Sequence, residues 1–390
     1  MSAPDAPSRL VVRLPNWLGD AVMAVPALVA VREAFPRAHL ALAGEPAVLP
    51  LFEEASAVKP QQLLAITKNT AAAAMREGGF DAVLLLTNSF RSAWVARQSG
   101  IRERWGYAAG ARGPLLTKAV RRPREAVHQS EYYLRLVRGL GIEGSPKGLR
   151  YTSNDDQGVA QPFRAATSND DQGVAQPFGA ATSNDDQGVA QPFRAAVSTP
   201  PQLAITDTTR LRAARLLEQH GVTPDTALVG FAPGAAYGHA KRWPPERVAH
   251  VIERLARERG VRAVLVGAGG DREAGRAIES TLSSDIGVVN LIGRTDLRLL
   301  MGVIRACRAF VSNDSGAMHL AAALGVPVTA IFGPTNERAT APIGDHDVIL
   351  KQVFCRPCML RECPIDHRCM KRISEEDVYG ALTRRMDRHA

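Results

Sequence analysis

Four stretches of this 390-residue chain carry side chains whose type and spacing suit chemistry. In the first, LPNWLGDAVMAVPAL, Pro15, Asn16 and Gly19 break regular structure and Asp20 opens an apolar helical run. A carboxylate there either caps a helix N-terminus or acts as a general base on a hydroxyl, and the spacing leaves both open. In the second, VSNDSGAMHLAAALGVPVTAIFGPTN, a strand runs into a helix that begins near Ser315 and Gly316. Free N–H groups and the positive end of the helix dipole at such a start suit a diphosphate, with Gly316 allowing close approach. Asp314 and Ser315 read equally as caps, and His319, one turn in, as an ordinary helix residue.

The third stretch, APGAAYGHAKRWPPER, offers a small-residue loop at Gly234 followed by Lys241, a cation able to meet a leaving phosphate or simply to sit in solvent. VGAGGDREAG invites a dinucleotide reading, but the sixth position from Gly267 is Arg272, so the glycine fingerprint fails. The fourth is CRPCMLRECPIDHRC, which places Cys355, Cys358, Cys363 and Cys369 within fifteen residues. A structural zinc ion is one reading of four such thiols, and reduced thiols or a redox-sensitive pair are the others. The second pair lacks the CxxC spacing of a zinc ribbon, and no metal ligand is assigned.

These segments need strands and helices to position them. RLVVRL, AHLALAG and FDAVLLL alternate with helical stretches in the first 150 residues, and TALVGFAPG, VRAVLVGAGG, GVVNLIG, RAFVSND and PVTAIFG do so again after 200. Short Val- and Leu-rich runs alternating with helices predict parallel sheets covered on both faces, so the expectation is two α/β domains in series. Between them stands a 15-residue repeat, three near-identical copies from 153 to 197 rich in Asp, Gln, Gly, Pro and Ala. That composition predicts a disordered linker insertion, with an interaction tether presenting Phe163, Phe178 and Phe193 as the alternative. The expected division is 1–150, 151–200 and 201–390.

The formal charge is +9, yet the repeat contributes six Asp against Arg164 and Arg194, so the remainder is more basic. Much of the excess lies from Arg91 to Arg138, a field that favours an anionic partner. The longest early apolar stretch, Ala21 to Val31, is too short to span a bilayer, and no export signal pattern opens the chain. A cytoplasmic location is expected. A cysteine-metal nucleic-acid-binding protein is the rival class, but it leaves the anion-binding loops unexplained, and aromatics at 5% are few for base stacking.

Taken in order, RLPNWLGDAVMAVPAL, LLLTNSFRSAWVARQSGIRERWGY, KRWPPER, VSNDSGAMHLAAALGVPVTAIFGPTN and the Cys-rich tail resemble glycosyltransferase family nine. The resemblance covers nearly the whole chain outside residues 151–200. It implies a GT-B architecture, two Rossmann-like domains facing across a cleft, the first for the acceptor and the second for the nucleotide sugar. It implies inverting transfer of heptose from ADP-heptose to the inner-core heptose of lipopolysaccharide, without a required cofactor, and a family member with another donor or acceptor sugar is the alternative. By the same resemblance Asp20 is the catalytic base, and Gly234, Lys241, Asp314, Ser315, Gly316 and His319 bind the donor. Asn16, Asn88, Ser89 and Arg91 fall to the acceptor. A membrane-borne acceptor adds peripheral attachment at the inner face of the inner membrane, and the basic excess is accounted for without nucleic acid. The repeats depart from the family pattern where the interdomain linker belongs.

Overall fold

A computed structural model describes residues 6–54, 56–142 and 203–388 of the chain. The 153–197 repeat lies outside the described residues. The first unit contains β1 (Arg9–Arg13), α1 (Leu18–Ala34), β2 (His39–Gly44), β3 (Gln62–Ala65), α2 (Ala71–Glu77), β4 (Ala82–Leu85), α3 (Phe90–Gln98), β5 (Glu103–Tyr107), β6 (Lys118–Val120) and α4 (Gln129–Gly139). The second opens with α5 (Asp207–Gln219), β7 (Leu228–Ala232), α6 (Pro245–Arg259), β8 (Arg262–Leu265), α7 (Arg272–Thr281), β9 (Val288–Asn290) and α8 (Leu297–Arg305). It continues with β10 (Ala309–Asn313), α9 (Gly316–Ala323), β11 (Val328–Ile331), α10 (Glu337–Thr340), β12 (His346–Ile349), α11 (Arg368–Lys371) and α12 (Glu375–Arg388).

Both sheets have six strands, all paired in parallel, in the orders β3-β2-β1-β4-β5-β6 and β12-β11-β10-β7-β8-β9. Counted from β7, the second order is the first one again, the doubly wound arrangement of Rossmann folds. The chain reverses direction between β1 and β4 and between β7 and β10, so the loops leaving these four strands splay apart and open a crevice. Their central position explains their sequences. β4 (AVLL) and β7 (LVGFA) are buried at every residue, and β1 buries its middle three, because helices cover both faces.

Helix α1 shows the same logic. Residues Ala21 to Leu28 are buried without interruption, and Pro26 sits inside the helix. A helix apolar on all sides has no solvent face and must be packed all round; α1 lies against α4 of its own unit and α9 of the other. Among the described residues no helix is long and apolar enough to cross a membrane.

Among the polar ties that cross between the units, two centre on Glu54 and His128. Glu54, buried in the first, accepts hydrogen bonds from the Thr206 backbone N–H (2.5 Å), the Thr209 hydroxyl (2.5 Å) and Arg298 Nε (2.6 Å) of the second. His128 Nδ1 accepts from the Ser130 N–H at 3.2 Å, so its Nε2 carries the proton donated to the Ala341 carbonyl at 2.8 Å. Burial alone would raise the Glu54 carboxyl, but the bonds from Thr209, Thr206 and Arg298 outweigh it and hold it below the usual range. A depressed carboxylate contributes stability that is present above its unfolded value and lost as pH falls through the folded one. Glu54→Gln is therefore expected to lower stability at neutral pH by about 2 kcal/mol. In thermal melts the difference from the parent should shrink on acidification below the ordinary carboxylate range; a pH-independent difference would contradict the role given to the charge.

Candidate active site

The crevice is closed at one point by the first turns of two helices, α1 entering from β1 and α9 entering from β10. A methyl group added at Gly19 would lie 2.9 Å from His319 Cδ2, and one added at Gly316 would lie 3.1 Å from Leu18 Cβ and 3.3 Å from the Gly19 nitrogen. Backbone meets backbone here because neither residue has a side chain. Neither helix is capped by a side chain: Trp17 and Ser315 occupy the cap positions and accept nothing from the first turn. The cap reading of Asp20 therefore fails, because the helix begins two residues earlier and Asp20 sits inside its first turn. Asp314, just ahead of α9, is not its cap either.

Asp20, Lys241, Asp314 and His319 come together at this junction. Lys241 Nζ donates to Asp314 Oδ2 at 2.6 Å, and the Thr335 hydroxyl donates to the same oxygen at 2.7 Å. The Lys241 ammonium also lies 4.6 Å from the centre of the Tyr237 ring. Asn313 fixes the Lys241 loop against the end of β10: its Nδ2 donates to the Pro233 carbonyl at 2.7 Å and its Oδ1 accepts from the Trp243 N–H at 3.2 Å.

Electrostatics separate the two acids. Lys241 and Thr335 neutralise and solvate Asp314, whereas Asp20 is half-buried without such a partner among the described residues. Burial lifts the Asp20 carboxyl to about 6, the Asp314 charge adds to the rise and Lys241 offsets part of it. It is thus mostly ionised at neutral pH and more basic than a free carboxylate. Burial pushes His319 down to about 4, so its imidazole is neutral, and its Nδ1 has no hydrogen-bond partner among the described residues.

The remaining expected site residues are more dispersed. Gly234 is pressed against Asp271, where a methyl group would fall 2.0 Å from the carboxyl carbon, so a close approach between loops requires this glycine. Asp271 itself accepts from the Ala268 N–H at 3.1 Å and faces Arg242 at 3.3 Å. A cleft lined by Pro233, Arg242, Trp243 and Glu273 opens between the Lys241 loop and α7. On the other side, Asn16 is exposed and accepts from Arg13 at 2.8 Å. Asn88 donates to the Tyr132 hydroxyl at 3.0 Å and leaves its Oδ1 without a partner among the described residues. Ser89 caps α3, accepting from the Ser92 N–H at 3.2 Å, and Arg91 donates to the Lys68 carbonyl at 2.6 Å.

Sequence reading missed Thr335, Tyr237 and Asp271. Asp271 had a signal, an acid closing a glycine-rich loop after a strand; Thr335 had none, lying 21 residues from the carboxylate it serves. All five thiols are free, and among the described residues no group of three or more His, Cys, Asp or Glu side chains is arranged to hold a metal ion. Cys369 is buried in α11 beside Gly333, while Cys355, Cys358 and Cys363 are only partly covered. The His367 N–H donates to Cys363 Sγ at 3.3 Å.

Comparison with known proteins agrees with this architecture. The family model of glycosyltransferase family 9 (heptosyltransferase) matches residues 70–368. Lipopolysaccharide heptosyltransferase 2 of Escherichia coli is 27% identical over 355 residues, 88% of each chain, and lipooligosaccharide heptosyltransferase 2 of Haemophilus ducreyi is 28% identical over 354, 87% of each. The solved structure of E. coli ADP-heptose lps heptosyltransferase II superposes with a TM-score of 0.73 at 25% identity, covering 97% of this chain and 99% of that one. With a match spanning most of its length and a doubly wound pair of sheets meeting at one acidic junction, the chain belongs to glycosyltransferase family 9, the heptosyltransferases.

Proposed function

We propose that the chain transfers heptose from ADP-heptose to the inner-core heptose of lipopolysaccharide, with inversion and with Asp20 as general base. The observation that carries this reading is the unequal pair of acids at the junction of α1 and α9: one carboxylate neutralised by Lys241, the other raised to about 6. Asp20 accepts the proton of an acceptor hydroxyl as its oxygen attacks the anomeric carbon. The bond from that carbon to the β-phosphate oxygen breaks, and charge builds on the departing ADP.

The start of α9, at Ser315 and Gly316, stabilises that charge with its free N–H groups and dipole. Asp314 holds the Lys241 ammonium where it faces the diphosphate. Neutral His319 offers an unpartnered nitrogen to the donor. The cleft beside Trp243 and Glu273 gives room for the nucleoside. The second unit, 201–390, is assigned to the donor and the first, 1–150, to the acceptor. Asn16, Asn88, Ser89 and Arg91 are assigned to acceptor binding, and the protein to the cytoplasmic face of the inner membrane, where this acceptor is made available. The names of the relatives and of the solved structure support donor and acceptor alike.

Calorimetric titration with ADP-heptose, ADP and UDP-N-acetylglucosamine tests the donor: the adenine-linked ligands should bind and the uridine sugar should not, and the reverse would overturn the donor assignment. Asp20→Ala should retain ADP binding while turnover falls roughly 100-fold or more; turnover at the parent rate would remove Asp20 from the chemistry. In the parent, kcat/KM should rise with pH through a limb near 6, because the base acts only when ionised. Lys241→Met leaves the Asp314 charge uncompensated beside Asp20, which favours the protonated form, so the residual activity should show this limb at higher pH. A limb unmoved by that change would mean that the two acids do not sense each other.

A further inference from the structure

Helix α3 turns its aromatic residues to solvent. Its buried side is reduced to Ala93 and Ala96, while Phe90 and Trp94 are 50% and 45% exposed and their rings stack at 6.3 Å. At about 100° per residue, Trp94 falls in the middle of the exposed arc, with Phe90 and Arg97 to one side and Gln98 and Arg91 to the other. From Leu86 to Arg102 there is no acidic residue, and Arg91, Arg97 and Arg102 are exposed. The neighbouring loop after β3 adds exposed Lys68, whose carbonyl is bonded to Arg91. Four exposed cations thus lie on this helix or the segments next to it, together with two half-exposed aromatic rings.

Aromatic rings favour the water–bilayer boundary, and clustered cations are drawn to anionic headgroups. Phe90 also opens α3 directly after Asn88 and Ser89, in the loop leaving β4, the strand next to β1, whose own loop leads to Asp20. The patch therefore lies at the lip of the crevice where a membrane-anchored acceptor must arrive. We propose that α3 is a membrane-docking helix: Phe90 and Trp94 enter the interfacial zone of an anionic bilayer while Lys68, Arg91, Arg97 and Arg102 meet lipid phosphates. This deepens, and rests on, the reading of a lipid-borne acceptor.

The tryptophans provide a built-in probe. Trp105 and Trp243 are 0% and 1% exposed, so a change in emission on lipid binding comes from Trp94 or from Trp17, which is 57% exposed at the start of α1. Vesicles of phosphatidylethanolamine with phosphatidylglycerol should sediment the full chain at low salt and shift its emission to the blue, whereas vesicles of phosphatidylcholine alone should do neither. Trp94→Phe should abolish most of the shift, and Trp17→Phe should leave it. The double variant Phe90→Ser/Trp94→Ser, and separately Arg97→Glu/Arg102→Glu, should each weaken vesicle binding roughly tenfold. Turnover on a deacylated, soluble acceptor should be unchanged in the double serine variant, while turnover on the acceptor in membranes falls. Equal sedimentation of parent and variants, binding to phosphatidylcholine, or a shift that follows Trp17 instead of Trp94 would overturn the proposal. A parent that binds anionic vesicles through Trp94 but acts on neither acceptor would instead overturn the acceptor reading and leave the docking helix standing.

Discussion

Two helix N-termini packed against each other carry partial positive charge at the same place, and this repulsive arrangement is what the rest of the structure must satisfy. Glycine at 19 and 316 permits the approach, and the buried all-round apolar surface of α1 holds it. The acids then follow from electrostatics: a carboxylate in the first turn of α1 and another just ahead of α9 offset the two dipole ends. Two partial positive helix ends and one lysine are thereby set against two acids at one place.

The doubly wound topology explains why the junction lies where it does. Only at the switch points do loops from adjacent strands turn away from each other, and each sheet has one such point. Every segment that brings a side chain to the junction leaves one of the strands β1, β7, β10 or β11, three of them at a switch point. Asn313 makes this registration rigid by bonding both the loop after β7 and the backbone of Trp243.

How much of this was legible in the sequence depended on burial. Central strands such as β4 and β7 are apolar throughout because both faces are covered, and their runs stood out. The edge and near-edge strands β3 (QLLA), β6 (KAV) and β12 (HDVI), with β5 (ERWGY), have mixed polarity and partly exposed patterns, so nothing marked them. The start of α9 at Gly316 was legible from the break before it, whereas α1 was read from Asp20 and begins at Leu18. What spacing cannot carry is pairing between distant loops: Thr335 with Asp314, Asp271 beneath Gly234, His128 with Ala341. The cap reading of Asp20 failed for a local reason instead, a shift of two residues in where α1 begins.

Glu54 has a mechanical consequence. Its two oxygens reach the start of α5 and the side of α8, two elements of the other unit that pack on each other, from a turn of the first unit that carries no catalytic group. Three bonds converging on one buried carboxylate leave little freedom to translate at that point but do not forbid rotation about it. An opening of the crevice that kept these bonds would be a turn about Glu54, and a small angle there would become a larger displacement at the glycine contact. The stiffness of such a pivot would be set by residues that take no part in the junction itself.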